Sequence, residues 1–291
     1  MHLTFEDMSL RLFSPRVWRG FAPPSALSPS GSVYTGGSGN PSFGFFDDFL
    51  TFSETTLVGP YANLVTAGGT LAKVADTGAA KGVLSAAIVG DTAEDEIVLK
   101  WGSTLSAPFK LAETDLAFEC CLSMSAITAA KWNIAVGLGQ ADMIGTDLVF
   151  TDGDILADKN FVGFVKLAGE AGVFDGAYKA DGQTYQDGAT KTKLNALATF
   201  TADVTVYKKL GLRYRAHPRT LEWYVDGVMP GGVTAPAKLT SSEVDAVTFP
   251  YDVFLAPIIG IKDSAGNAAL NVQVDWWACA QYEDRNEQLN A

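Results

Sequence analysis

Short apolar runs, each broken after a few residues by Gly, Asp or Asn, leave this chain little choice but strands. GVLSAAIVG, DEIVLKWG, LAFECCLSMSAI, WNIAVGLG, NFVGFVKLAG, LGLRYRAH, LEWYVDG, VFLAPIIGIK and LNVQVDWWACA are rich in β-branched and aromatic residues. The segments between them carry turn chemistry, as in TDGD, DGAYKADG and DSAGN. That spacing predicts an all-β antiparallel sandwich or barrel. Helical periodicity is confined to TKLNALATF and TSSEVDAV, about two turns each. No period of roughly 20–50 residues recurs, so the region 45–283 reads as one domain and not a repeat array.

Two segments show the alternation best. In LGLRYRAHPRTLEWYVDG, Leu210, Leu212 and Tyr214 alternate with Gly211, Arg213 and Arg215. After the HPR turn, Leu221, Trp223 and Val225 alternate with Glu222, Tyr224 and Asp226. This predicts a hairpin with one apolar and one mostly polar face, Arg213 or Arg215 lying across from Glu222 or Tyr224. In NVQVDWWACAQ, residues 271–281, strict alternation puts Val272, Val274, Trp276, Ala278 and Ala280 on a buried face. Asn271, Gln273, Asp275, Trp277 and Cys279 fall on the other. Asp275 is thereby expected to face outward, with Trp277 beside it to touch a partner, a sugar or a covering loop.

The 291 residues are 47% hydrophobic, which is enough for a large buried core. A net charge of −12 argues against nucleic acid or an anionic membrane surface as a partner. No apolar run approaches the ~20 residues that span a bilayer. MHLTFEDMSLRLF places two acids where a secretory leader has a basic segment, so synthesis in a reducing cytoplasm is expected. Cys120, Cys121 and Cys279 are then expected as buried free thiols, since neighbours on a strand point to opposite faces. With His2 and His217 the only histidines, the spacing of a zinc site is missing.

Residues 1–44 differ from the rest. SPRVWRGFAPPSALSPSGSVYTGGSGNPS is rich in Pro, Gly and Ser and has no strand or helix period. Its three arginines outweigh two acids, leaving 18 bases against 31 acids on the remainder. Yet Phe13, Trp18, Phe21 and Tyr34 interrupt it, with Arg16 and Arg19 close by. Aromatic and Arg side chains dominate interface energetics, so Phe13, Arg16, Trp18, Arg19 and Phe21 are expected to anchor an extended arm on another protein or a neighbouring copy. The alternative is a terminal strap packed on its own domain. A short polar tail, 284–291, closes the chain.

The opening FDDF, the central VGLG and FVGF, the hairpin KLGLRYRA…LEWYVDG and the closing LNVQVDWWACAQ occur in that order. Together they resemble the concanavalin A-like (laminin G-like) jelly-roll superfamily, most of all its versions among tailed-bacteriophage virion proteins. The resemblance spans residues 45–283 and leaves the arm out. It implies a jelly-roll sandwich of two antiparallel sheets, one concave. It implies no activity, because the fold hosts lectins, glycosidases and structural modules.

Glycosidases of this fold carry E-x-D-x-x-E on one strand, whereas ETDLAFE, residues 113–119, is one residue longer. Alternation puts Glu113, Asp115 and Glu119 on one face. At ~3.3 Å per residue, Glu113 and Glu119 lie about 20 Å apart, and Asp115 and Glu119 about 13 Å. A retaining pair needs about 5–5.5 Å, so a solvated face is expected and no catalytic residue is assigned. Asp152, Asp154 and Asp158 in TDGDILADKN gather oxygens as calcium sites do, but the spacing leaves the EF-hand pattern after the second acid. A polar turn is the stronger reading. GGSGNP forms no nucleophile elbow, and GLGQAD lacks the lysine of a phosphate loop. Trp101, Trp132, Trp223 and Trp276 fall on apolar faces and are expected in the core.

Three function classes follow: a structural virion protein, a carbohydrate-binding (lectin-like) module on a phage appendage, and a glycoside hydrolase. The last lacks its acids and the second lacks a clear sugar site. Residues and resemblance together point to the first, a non-enzymatic capsid decoration or cement protein attached through its arm. The expected partner is the major capsid protein or another virion protein, with glycans as a further class. A trimer or dimer is expected, made in the host cytoplasm and carried in the virion. No cofactor, nucleic acid or membrane enters this reading.

Overall fold

In the computed structural model the alternating runs pair into two antiparallel sheets. The structure describes residues 14, 16–18, 32–35, 41–47, 49, 61–66, 68–75, 82–89, 95–102, 107–112, 114–126, 132–143, 158–168, 172–231, 235–263 and 269–282. The first strands are β1 (Ser32–Thr35), β2 (Pro41–Asp47), β3 (Tyr61–Val65), β4 (Gly69–Ala75), β5 (Gly82–Ile88) and β6 (Glu96–Trp101). Then come β7 (Phe109–Lys110), β8 (Leu116–Met124), β9 (Trp132–Gln140), β10 (Phe161–Lys166), β11 (Val173–Lys179) and β12 (Ala198–Thr199). The last are β13 (Asp203–Arg215), β14 (Thr220–Val225), β15 (Lys238–Leu239), β16 (Phe254–Asp263) and β17 (Leu270–Tyr282). The two helical candidates shrink to a 3₁₀ turn, Thr192–Leu194, and one turn of α-helix, Ser241–Val244, whose Glu243 accepts the Thr240 backbone N–H at 2.9 Å.

One sheet runs β1-β2-β17-β8-β13-β14-β15, with β5 beside the first half of β17 and β4 outside it. The other runs β12-β11-β10-β9-β16-β6-β3, with β7 against β16. Their inner faces share one continuous core, making an all-β jelly-roll sandwich. Trp101, Trp132 and Trp223 are buried in it, as expected. The predicted hairpin is β13–β14, with Arg213 paired to Glu222 and Leu212 to Trp223. The Trp223 indole crosses to the second sheet and donates to the Gly163 carbonyl at 2.7 Å. β1 and the start of β2 fall within residues 1–44, so the sandwich begins earlier than the composition indicated.

β17 departs from strict alternation. Its first half pairs with β5 and its second with β2, while β8 runs along its other side. At the handover the register with β8 shifts between Val274 and Trp276, leaving Asp275 as an extra residue. A bulge of this kind reverses which face each later residue takes. Leu270, Val272 and Val274 point into the core, and beyond the bulge Trp277 and Cys279 take over. Trp276, Ala278 and Ala280 turn to the outer face. The outward position expected for Trp277 is therefore corrected: it is fully buried. Its ring packs on Phe45, Phe49 and Tyr61 at centroid distances of 5.8, 6.0 and 5.9 Å. Asp47, from the FDDF motif, holds this group together by accepting the Phe49 N–H at 2.6 Å and the Tyr61 hydroxyl. Asp275 is half-buried.

The three cysteines are buried free thiols, with Cys120 on the core side of β8 and Cys121 on the outer side. Burial, with the Asp275 charge next in weight, pushes the Cys121 thiol up to about 12, so it stays protonated at neutral pH.

Emptying the Trp277 site by Trp277→Ala should cost about 3–5 kcal/mol, as for other buried Trp or Phe side chains. Asp275→Ala should cost less than about 1 kcal/mol. Urea midpoints of the two variants at unchanged slope measure both. A loss at Trp277 no larger than that at Asp275 would mean that alternation runs unbroken through the strand.

Candidate functional site

The outer face of the first sheet is where the chain's leading segment meets the sandwich. In the middle of this face Glu119 of β8 is flanked in register by Gly211 of β13 and Ala278 of β17. Such small neighbours leave a furrow, and Ser14, Val17 and Trp18 lie in it. A Cβ on Gly211 would stand 2.7 Å from a Val17 methyl. One on Gly227, whose φ of +75° already favours glycine, would stand 3.0 Å from the Ser14 Cβ. The Trp18 N–H donates to the Ser14 carbonyl at 3.1 Å, closing a turn. Val17 and Trp18 complete an apolar cluster with Phe46, Ala117, Cys121, Tyr224, Trp276, Ala278 and Ala280.

This segment is a strap on its own domain, the alternative raised from composition. Trp18, expected to anchor on a partner, is buried against the chain's own sheet, because the furrow offers it apolar contact and an acceptor. Arg16 is exposed. Phe13, Arg19 and Phe21 lie outside the described residues.

Glu119 supplies the acceptor. Its Oε2 takes the Trp18 indole N–H at 2.8 Å and the Ser14 backbone N–H at 3.0 Å. The solvated face expected for this acid is overturned, since Glu119 is fully buried beneath the strap. Burial raises its carboxyl above the ordinary range, against the lowering effect of the Ser14 and Trp18 bonds and of Lys209. Oε1 has no hydrogen-bond partner among the described residues. Asp115 turns elsewhere, accepting the Ala216 N–H at 2.8 Å at the end of β13. Glu113 lies outside the described residues.

Beside the strap, Arg16, Arg213, Arg215, Glu222 and Tyr224 line an open cleft of about 270 Å³. Arg213 donates from Nη1 to the Arg16 carbonyl at 3.1 Å, so the strap builds one wall of it. Burial and the neighbouring Arg215 charge draw the Arg213 pKa below the usual arginine value. Glu222 accepts the Tyr224 hydroxyl on Oε2 at 2.7 Å and pairs through Oε1 with Lys238 at 3.2 Å. Burial and the Glu222 bond hold the Tyr224 phenol protonated, its pKa pushed up to about 12. The alternation of β13 brings Arg213 and Arg215 to one face in the sequence alone. Nothing in the sequence brings Arg16 to them.

Asp158 is exposed, pairs with Lys179 at 3.1 Å and accepts the Gly182 N–H at 2.9 Å. Asp152 and Asp154 lie outside the described residues. Among the described residues no three His, Cys, Asp or Glu side chains gather as metal ligands do. Asp275 is half-buried and Trp277 is fully buried in the core, so the two form no common surface.

No protein-family model matches the sequence, and no curated protein does. Among solved structures the chain is similar to a protein of unknown function from Shewanella oneidensis MR-1. The two are 14% identical over 90% of this chain and 97% of that one, with a TM-score of 0.54. The carbohydrate recognition domain of Emp47p is 9% identical over 82% of this chain and 93% of its own, with a TM-score of 0.49. An endo-1,3-β-glucanase from Streptomyces sioyaensis is 15% identical over 89% of this chain and 100% of its own, with a TM-score of 0.50. At such identities the likeness is one of fold: the chain has the concanavalin A-like jelly-roll sandwich.

Proposed function

We propose that this chain is a non-enzymatic structural protein of a bacteriophage virion, a decoration or cement module held to the major capsid protein or another virion protein by its leading segment. The observation that carries the non-enzymatic part is the sealing of Glu119. A glycosidase acid must reach both the substrate and a second carboxyl. Glu119 is instead covered by the chain's own strap and bonded to its N–H groups. The virion part is supported by the ordered motifs that resemble tailed-phage jelly rolls and by the acidic body behind an aromatic, Pro/Gly/Ser-rich leading segment. Docking of Ser14 to Trp18 sets where that segment meets the sandwich, and Phe13, Arg19 and Phe21 are the side chains assigned to engage a partner. Assembly as a dimer or trimer on the particle belongs to the same proposal. The second reading is a lectin-like module, favoured by the arginine-lined cleft on the same face.

Three outcomes are expected. The full chain should release no reducing sugar from β-1,3-glucan or other polysaccharides, and turnover abolished by Glu119→Gln would overturn the non-enzymatic reading. Phe13→Ala with Phe21→Ala should leave the circular dichroism unchanged and lose binding to particles that lack the protein; undiminished binding would rule out the attachment.

The third concerns pH. The Glu119 carboxyl is raised only while the strap covers it, so protonation favours the closed strap. Closure is complete below the ordinary carboxylate range. It weakens as pH climbs from there through the raised value, because the open form ionises first. Opening measured by amide exchange at Val17 and Trp18, corrected for base catalysis, should increase over that window. Glu119→Gln, which keeps an acceptor oxygen, should flatten the dependence.

A further inference from the structure

Three of the seven arginines of this acidic chain line a cleft beside the strap. Neither Arg16 nor Arg215 has an ion-pair partner among the described residues. Guanidinium groups match planar carboxylates with paired N–H donors, so the cleft selects an anion. Glu222 in the same wall narrows the choice. Each of its oxygens holds one bond within the protein and keeps a lone pair for another donor. Sulfate brings that carboxylate only repulsion, and phosphate at neutral pH offers it no more than one or two hydroxyls on a centre of like charge. A neutral sugar would give hydroxyls to Glu222 but leave the arginines without their match. Tyr224 is buried under the strap cluster, so among the described residues the cleft offers no exposed ring on which a neutral sugar could stack. At about 270 Å³ the space falls just below the roughly 300–1,000 Å³ of sites for drug-sized ligands. It suits a single residue of a longer chain.

We infer that this cleft binds a hydroxyl-bearing carboxylate, a uronic-acid residue of an acidic glycan. Arg16 and Arg215 grip the carboxylate, Arg213 adds its charge from below, and Glu222 accepts hydroxyl groups of the same ring. The inference rests on the lectin-like reading and gives it a ligand class. Because Arg16 belongs to the strap, the cleft is complete only while Trp18 is docked on Glu119, and binding ties the ligand to the closed state.

Calorimetric titration of the full chain with oligogalacturonides, their carboxyl methyl esters and inorganic phosphate tests this. The acidic oligomers should bind saturably, and the esters and phosphate should not compete at equal concentration. Arg215→Ala should weaken binding by about tenfold or more, as for loss of a hydrogen bond between charged groups. Trp18→Ala, which removes no residue of the cleft lining, should weaken it as well, by freeing Arg16. Equal binding of acid and ester, effective competition by phosphate, or an unchanged Arg215→Ala variant would overturn the inference. Ester binding untouched by Arg215→Ala would leave a lectin-like module with its site elsewhere. No binding to acidic or neutral oligosaccharides would remove both.

Discussion

Glu119 stands in the middle of β8 with its carboxyl on the outer face of the first sheet, where an uncompensated buried charge costs several kcal/mol. The strap answers this by bringing two N–H donors, from Ser14 and Trp18, to one oxygen. The same contact lays Val17 and Trp18 over Gly211, Ala278 and the Trp276 ring. Polar capping and apolar cover are thus one event, and neither is complete without the other. Because β8 is covered on its core side by the second sheet, this contact leaves the strand buried from end to end. The furrow exists only because the residues flanking Glu119 are Gly and Ala.

A second constraint acts through β17. A strand flanked on one side by β5 and then by β2 needs a place to change neighbours, and the extra residue at Asp275 sits there. The bulge turns Trp277 inward, onto the aromatic group organised by Asp47. It also turns Trp276 outward, to become part of the floor on which Trp18 rests. The adjacent tryptophans therefore serve opposite faces, one building the core and the other receiving the strap.

The position of Glu119 on the outer face of the first sheet is filled by the chain itself. What the strap leaves uncovered is a basic, hydroxyl-accepting cleft on an otherwise acidic protein. The leading segment pinned at Trp18 carries Phe13 before it and Phe21 after it in the sequence.

The sequence by itself determined the strands, the β13–β14 hairpin with its apolar and polar faces, and the free thiols. Each of these is local: alternation, turn residues and spacing act over a few neighbours. Only the tertiary structure decided that β1 joins the sheet, that Glu119 is buried, that Trp277 and Trp276 exchange faces, and that Arg16 meets Arg213. The first depends on β2, the one neighbour of β1 in the sheet, finding β17 far along the chain. The face exchange depends on a single inserted residue, which strict alternation cannot register because it reverses every position beyond it. Burial of Glu119 depends on contacts 101 and 105 residues away, between a segment whose composition reads as linker and glycines whose neighbours read as solvated. Small residues on an apparently polar face were the one local trace of the strap, and what filled them was set by three-dimensional fit.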